Sequence, residues 1–275
     1  MLEKIATLGP KGTYSELATK QYLSHNNLNL DIVFYNSLKK TLDAIGKEVE
    51  IGILPIENFS EGFVNLVLDY LVTADLYVQS EILLPIQFSL VSDCQDFKDI
   101  DSIYVQFVAK GQCAEYLDKF ETAHFISTES NTESLLAIKD KANTAAVVPS
   151  HLLETGSFNY VEENITDYKN NQTRFLLLSG KTDDRFNGCS ADYKTSIIVL
   201  FHDDYPGYLE GVLHKLTKRN INITSIVSRP TRKVFGKYHF FIDLDGHRAD
   251  ENLKTALLDI QQDFRVKILG SFLKH

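Results

Sequence analysis

The chain is predicted to fold as two α/β lobes with a cleft between them, followed by a smaller ferredoxin-like βαββαβ unit. Three features of its 275 residues lead there. Short apolar runs alternate with helix-spaced segments as far as residue 180. A long extended stretch, Leu76–Val91, interrupts that rhythm before it restarts. A polar segment, Gly180–Lys194, then precedes a second and tighter set of elements.

In the first lobe, Ile5–Leu8 reads as a strand, Ser15–Leu23 as a helix and Asp31–Tyr35 as a strand. Leu38–Ile45 is a helix, Ile51–Ile56 a strand and Phe63–Val72 a helix. Such alternation builds a mostly parallel sheet, because parallel neighbours need a long crossover and a helix supplies it. The second lobe covers about residues 80–168. Ile103–Val105, His124–Ile126 and Ala145–Val148 are its strands, with helices at Gln112–Phe120 and Thr132–Lys139. Arg174–Leu178 is the last strand of this part.

Beyond the polar segment, Thr195–Phe201 is a strand, and Leu209, Val212, Leu213 and Leu216 mark a helix over Tyr208–Arg219. Ile221–Val227 and Tyr238–Leu244 are strands joined by a connection holding Pro230 and Gly236. Leu253, Ala256, Leu257 and Ile260 mark a second helix, and Val266–Leu269 closes the set. The order is βαββαβ. The division is therefore 1–180, a linker at 181–194, and 195–275. The linker's polarity predicts that 1–180 folds and works unaided.

A net charge of −9 argues against a nucleic-acid or anionic-membrane surface. Three cysteines, Cys94, Cys113 and Cys189, fit neither a disulfide framework nor a metal spacing. No run approaches ~18 apolar residues, so no membrane span is expected and a cytoplasmic location is. Dinucleotide, phosphate-loop, zinc-protease and serine-elbow motifs are all missing, so no cofactor or metal is expected.

Three segments place a capping side chain three positions before a glutamate: Thr13 before Glu16, Asn58 before Glu61, and Ser130, followed by Asn131, before Glu133. The first two follow predicted strands, at the edge of a parallel sheet where ligands bind. One such cap merely starts a helix. Three helix starts near one edge make a place for a carboxylate or phosphate.

Leu8–Glu16, Gly52–Asn58 with Glu61-Gly62, and Asn171-Gln172-Thr173-Arg174-Phe175 together resemble the prephenate dehydratases. Pro206-Gly207-Tyr208-Leu209, Asn222, Ser228-Arg229-Pro230 and Phe240–His247 resemble an ACT regulatory domain. The resemblance implies a two-lobed, periplasmic-binding-protein-like catalytic part with its site between the lobes. It implies conversion of prephenate to phenylpyruvate with loss of water and carbon dioxide, no cofactor, feedback inhibition by phenylalanine, and a homodimer or homotetramer. Thr173 would be the essential residue, hydrogen bonding to the departing hydroxyl. Thr13, Glu57, Asn58, Ser60, Ser130, Asn131, Asn171, Arg174 and Phe175 would bind substrate. Arg174 would either anchor a carboxylate or pair with an acid such as Glu57. Pro206, Gly207, Tyr208, Leu209, Asn222, Ser228, Arg229 and Pro230 would hold the effector.

The chain departs from the family pattern in places. Phe59 stands where a serine is usual, Val105–Ala109 loses a His-Pro pair, and Val227 replaces an acid. Two other classes therefore compete: a binding sensor of the same fold, and a related prephenate-processing lyase.

Overall fold

The computed structural model describes residues 3–94, 96–183, 192–201 and 205–274. In chain order the first lobe contains β1 (Lys4–Leu8), α1 (Tyr14–His25), β2 (Asp31–Tyr35), α2 (Leu38–Ala44), β3 (Ile51–Asn58), β4 (Gly62–Phe63), α3 (Asn65–Thr73) and β5 (Tyr77–Pro85). The second contains β6 (Phe88–Ser92), β7 (Ser102–Gln106), α4 (Phe107–Gln112), α5 (Ala114–Leu117), β8 (His124–Thr128), α6 (Asn131–Ala137), β9 (Thr144–Pro149) and β10 (Tyr160–Glu162). The chain then returns to the first lobe as β11 (Gln172–Ser179). The third unit is β12 (Tyr193–Leu200), α7 (Tyr208–Thr217), β13 (Ile223–Pro230), β14 (Tyr238–Asp245), α8 (Glu251–Asp263) and β15 (Arg265–Leu273).

Three sheets result. The first lobe's runs β2-β1-β3-β11-β5, the second's β10-β6-β9-β7-β8, and the third β13-β14-β12-β15. Two strand passages, β5 to β6 and β10 to β11, connect the lobes. β1 is parallel to β2 and β3, as helix crossovers require. β11 enters from the other lobe and runs antiparallel between β3 and β5. Residues predicted as one helix from Gln112 form two short ones, α4 and α5, beginning five residues earlier at Phe107. No helix among the described residues is long and apolar enough to cross a membrane.

Strands β1, β3, β5 and β11 of the first lobe each serve two cores, because side chains alternate across a sheet. Ile53, Phe175 and Leu177 face α1 and the second lobe, with Phe88, Leu90 and Val147 in the same cluster. Leu54, Ile56, Leu176 and Leu178 face the other way. There they pack with Ile198, Phe241, Leu269 and Phe272 of the third unit. The remaining face of that unit's sheet is covered by α7 and α8, through Val212, Leu216, Leu257 and Ile260. A Cβ at Gly270 would collide with the Val78 carbonyl, so glycine is what lets β15 approach β5. The polar linker thus joins two units that share one apolar cluster, and the sheet of residues 1–180 buries a face against the third unit. Residues 184–191, inside that linker and including Cys189, lie outside the described residues.

Candidate active site

β3 and β11 meet at two successive rungs, Thr173 opposite Asn58 and Arg174 opposite Glu57. The register then slips, leaving Ile56 as an extra residue on β3 before Pro55 faces Phe175. Asn58 does not start a helix, contrary to expectation. Its Oδ1 accepts from the Ser60 N–H (3.0 Å), the Ser60 hydroxyl (2.8 Å) and the Glu61 N–H (3.0 Å), which closes a turn into β4. α3 begins only at Asn65. With its oxygen so occupied, the Asn58 amide nitrogen points at β11. It lies 2.9 Å from Thr173 Oγ1, 3.0 Å from Asn171 Oδ1 and 3.2 Å from the Gln172 carbonyl. Thr173 is only 8 % exposed, and its oxygen accepts from Asn58. Its own hydrogen is therefore directed elsewhere.

Asn171 is wholly buried. Its Oδ1 accepts from Asn58, and its Nδ2 donates to Gln112 Oε1 at 3.0 Å. Each end of the amide makes one such contact, so Asn171 links Asn58 to the second lobe. Gln112, on α4 of the second lobe, completes this amide chain. Nothing in the local sequence marked it, since a lone glutamine on a short helix carries no pattern. Gln106, also unmarked, caps α4 by accepting from the Val108 and Ala109 N–H groups at 2.8 and 3.2 Å.

The two genuine helix starts come together across the lobes. Thr13 caps α1, accepting from the Glu16 N–H at 3.4 Å, and the Glu16 carboxylate accepts from the Gly12 N–H at 2.5 Å. Burial of Glu16 opposes its ionisation. The Gly12 N–H and Lys20 outweigh this and hold its carboxyl below the usual range. Ser130 caps α6, accepting from the Glu133 N–H at 3.1 Å. The Thr132 hydroxyl donates to the Lys11 carbonyl at 2.8 Å, tying the α6 start to the loop before α1. Asn131 Oδ1 is buried beside this contact and accepts no hydrogen bond among the described residues. Ser60 spends its hydroxyl on Asn58. Phe59 and Tyr168 stay 67 % and 56 % exposed, their ring centroids 6.4 Å apart.

Arg174, Glu57 and Phe175 have other partners in the fold. Arg174 follows Thr173 on a strand and so faces the opposite side, toward the third unit. Its Nη1 is 2.6 Å from Asp243 and 3.5 Å from Glu81, and its Nη2 is 3.1 Å from Glu57. Of the two roles left open for Arg174, the structure shows the pairing with acid. It occupies Glu57 in the same contact. Phe175 is 1 % exposed and packed in the interlobe core.

In the third unit, Gly207 adopts a left-handed backbone, φ 93°, at the start of α7. Pro206 precedes it and is exposed, while Leu209 is half-buried. Tyr208 turns inward and is buried. Its ring packs edge-on to Phe264 and its hydroxyl donates to the Leu200 carbonyl at 3.0 Å. Ser228 and Pro230 are exposed near the end of β13. Arg229 leaves that group to bind Asp69 of α3 through Nε and Nη2 at 2.8 and 2.9 Å. Asn222 precedes the opposite end of β13 and donates to Asp245 at 2.8 Å.

Residues 5–183 match the prephenate dehydratase family model and residues 195–261 the ACT domain model. A prephenate dehydratase of Methanocaldococcus jannaschii is 32% identical, over 96% of this chain and 95% of that protein. The crystal structure of the Staphylococcus aureus prephenate dehydratase is 31% identical. It superposes with a TM-score of 0.82 over 98% of this chain and all of that one. The Arthrobacter aurescens prephenate dehydratase, solved in complex with L-Phe, is 28% identical with a TM-score of 0.84, over 98% of this chain and 90% of that one. The chain belongs to the prephenate dehydratase family and carries an ACT domain after the dehydratase region.

Proposed function

We propose that this enzyme dehydrates and decarboxylates prephenate to phenylpyruvate at the Thr173–Asn58 rung, and that its ACT domain senses phenylalanine. The observation that carries the catalytic reading is the hydrogen bond from Asn58 to Thr173 Oγ1. It fixes the hydroxyl as an acceptor on one side and leaves its hydrogen to donate on the other.

The chemistry asks for little else. The ring carboxylate of prephenate leaves as carbon dioxide, and its electron pair moves through the ring and expels the hydroxyl. The departing hydroxide takes up one proton, drawn from solvent, and becomes water. Aromatisation drives the step, so the protein's work is orientation and charge stabilisation. A threonine hydroxyl is too weak an acid to surrender its proton fully at neutral pH. Its hydrogen bond to the leaving oxygen strengthens as negative charge grows there. The substrate's two carboxylates need positive potential that a chain of net charge −9 does not supply globally. The starts of α1 and α6, at Thr13 and Ser130, bring backbone N–H groups to the lobe junction. The unspent Asn131 oxygen is suited to a substrate hydroxyl.

The effector reading is supported by the Arthrobacter relative's complex with L-Phe. In this chain, the ten residues of α7 lie between Gly207 and Asn222. That is about 15 Å at helical rise. One amino acid held by both Asn222 and the Gly207 end of α7 is therefore bridged across two copies of the chain, which supports a homodimeric or homotetrameric assembly.

The test is to follow phenylpyruvate formation, by its absorbance in alkali, together with prephenate consumption. Equal rates of both support the dehydratase. Consumption without phenylpyruvate means a different lyase, and binding without consumption means a sensor.

A further inference from the structure

Arg174 sits at the centre of a charged cluster between the catalytic sheet and the ACT sheet. Besides the Glu57, Glu81 and Asp243 contacts, Lys194 holds Glu81 at 2.8 and 2.9 Å. Ser196 donates to the other oxygen of Asp243 at 2.5 Å. Arg174, Glu81 and Asp243 are all nearly buried, with side-chain exposures of 12 %, 2 % and 12 %. Burial opposes the guanidinium charge, and Asp243 first among the acids more than compensates. A pocket of about 30 Å³, the size of one water, lined by Arg174, Ser196, Phe241 and Asp243, lies beside it, and Arg174 Nε is buried with no hydrogen-bond partner among the described residues.

The register gives this cluster its consequence. Arg174 opposes Glu57 on the rung next to the one where Thr173 opposes Asn58. The two rungs share peptide planes and present their side chains to opposite faces. A pull on Arg174 from the ACT side thus tilts the same peptides that aim Thr173 toward the cleft. Asp243 lies on β14, the strand paired with β13, where Ser228 and Arg229 reside.

We propose that Asp243 of the ACT domain is a positioning residue for Thr173, acting through Arg174, so that catalytic geometry is held from the regulatory domain. The proposal rests on Thr173 and Asn58 being the catalytic pair. Full-length parent, Asp243→Asn, Asn58→Ala and the double variant are compared for kcat, KM and thermal unfolding. Asp243→Asn keeps the shape and removes the charge that holds Arg174. It is expected to lower kcat about ten-fold with KM for prephenate unchanged, since a small misplacement of a reacting group costs this much or more. In the Asn58→Ala background the rung being aligned is already broken. There the same change is expected to alter kcat less than two-fold, while the shift in unfolding temperature stays as large as in the parent.

A full ten-fold effect in both backgrounds, a loss confined to KM, or no loss overturns the proposal. Should Asp243→Asn fail to fold, Ser196→Ala replaces it in the cycle. That change removes only the hydrogen bond orienting Asp243, and the same non-additivity in kcat is expected at smaller amplitude. Parental kcat in both Thr173→Ala and Asn58→Ala overturns the site assignment instead.

Discussion

Asn58 and Thr173 are 115 residues apart in the chain, yet the Asn58 amide donates to the Thr173 hydroxyl oxygen at 2.9 Å. The turn that consumes the Asn58 oxygen forces this orientation, and Asn171 and Gln112 extend it into the second lobe. The hydroxyl oxygen is thereby engaged as an acceptor, and its hydrogen is directed away from Asn58.

Thr173→Ala is expected to reduce kcat with little change in KM, because the donor acts mainly in the transition state. Loss of one such donor corresponds to about 2–4 kcal/mol. Steady-state kinetics on prephenate decide it, and values within a few-fold of the parent would remove Thr173 from the mechanism.

Asn171→Ala should lower both stability and kcat. It strands Gln112 Oε1 without its donor in a buried setting and releases Asn58. The stability cost is about 1–3 kcal/mol. Denaturant unfolding and kcat are to be measured on the same sample, and loss of kcat alone would mean that Asn171 meets the substrate after all.

A truncated chain ending at Gly180 exposes Leu54, Ile56, Val67, Leu176 and Leu178, which pack against the ACT sheet in the intact protein. It also removes Asp243 and Lys194 from the charged cluster around Arg174 and Glu81. The truncated form is expected to be poorly soluble or to melt well below the parent, with reduced turnover. Calorimetry showing an unchanged transition would prove the shared core dispensable.

Acid should loosen the loop before α1. The folded-state carboxyl of Glu16 is held below its ordinary value. Its contribution is therefore fully present above the ordinary carboxylate range, about pH 4.3, and is lost as pH falls through the lower folded value. Glu16→Gln should be less stable than the parent at neutral pH by about 1–2 kcal/mol. Its stability should then fall less steeply than the parent's below about pH 5. Parallel acid limbs for the two proteins would contradict this assignment.

Phenylalanine is expected to bind and inhibit, and Asn222→Ala to weaken its binding about five-fold, the value of one hydrogen bond. Tyr208→Phe should leave affinity unchanged, since that hydroxyl is spent on Leu200. Calorimetric titration with tyrosine and tryptophan as controls, together with light scattering for assembly state, tests both points. A monomer that binds phenylalanine at full strength would show that Asn222 is not part of the site.

Much of this protein is written in short-range sequence. Periods of two and 3.6 placed most strands and helices, since burial of one face is a local requirement. Strand alternation alone requires Thr173 and Arg174 to point to opposite sides. What local pattern left open was set by contacts between distant residues. Asn58 and Glu61 read as a helix cap, yet the same side-chain chemistry closes a turn. Pairing of Glu57 with Phe63 and Asn58 with Gly62 chose the turn. The linker is polar, yet the sheets on either side of it pack face to face, because each had a second apolar face to bury. Arg174 has the charge to hold a substrate carboxylate. Only the stacking of the ACT sheet behind β11 supplied Asp243, and a buried guanidinium goes to the nearest buried acid.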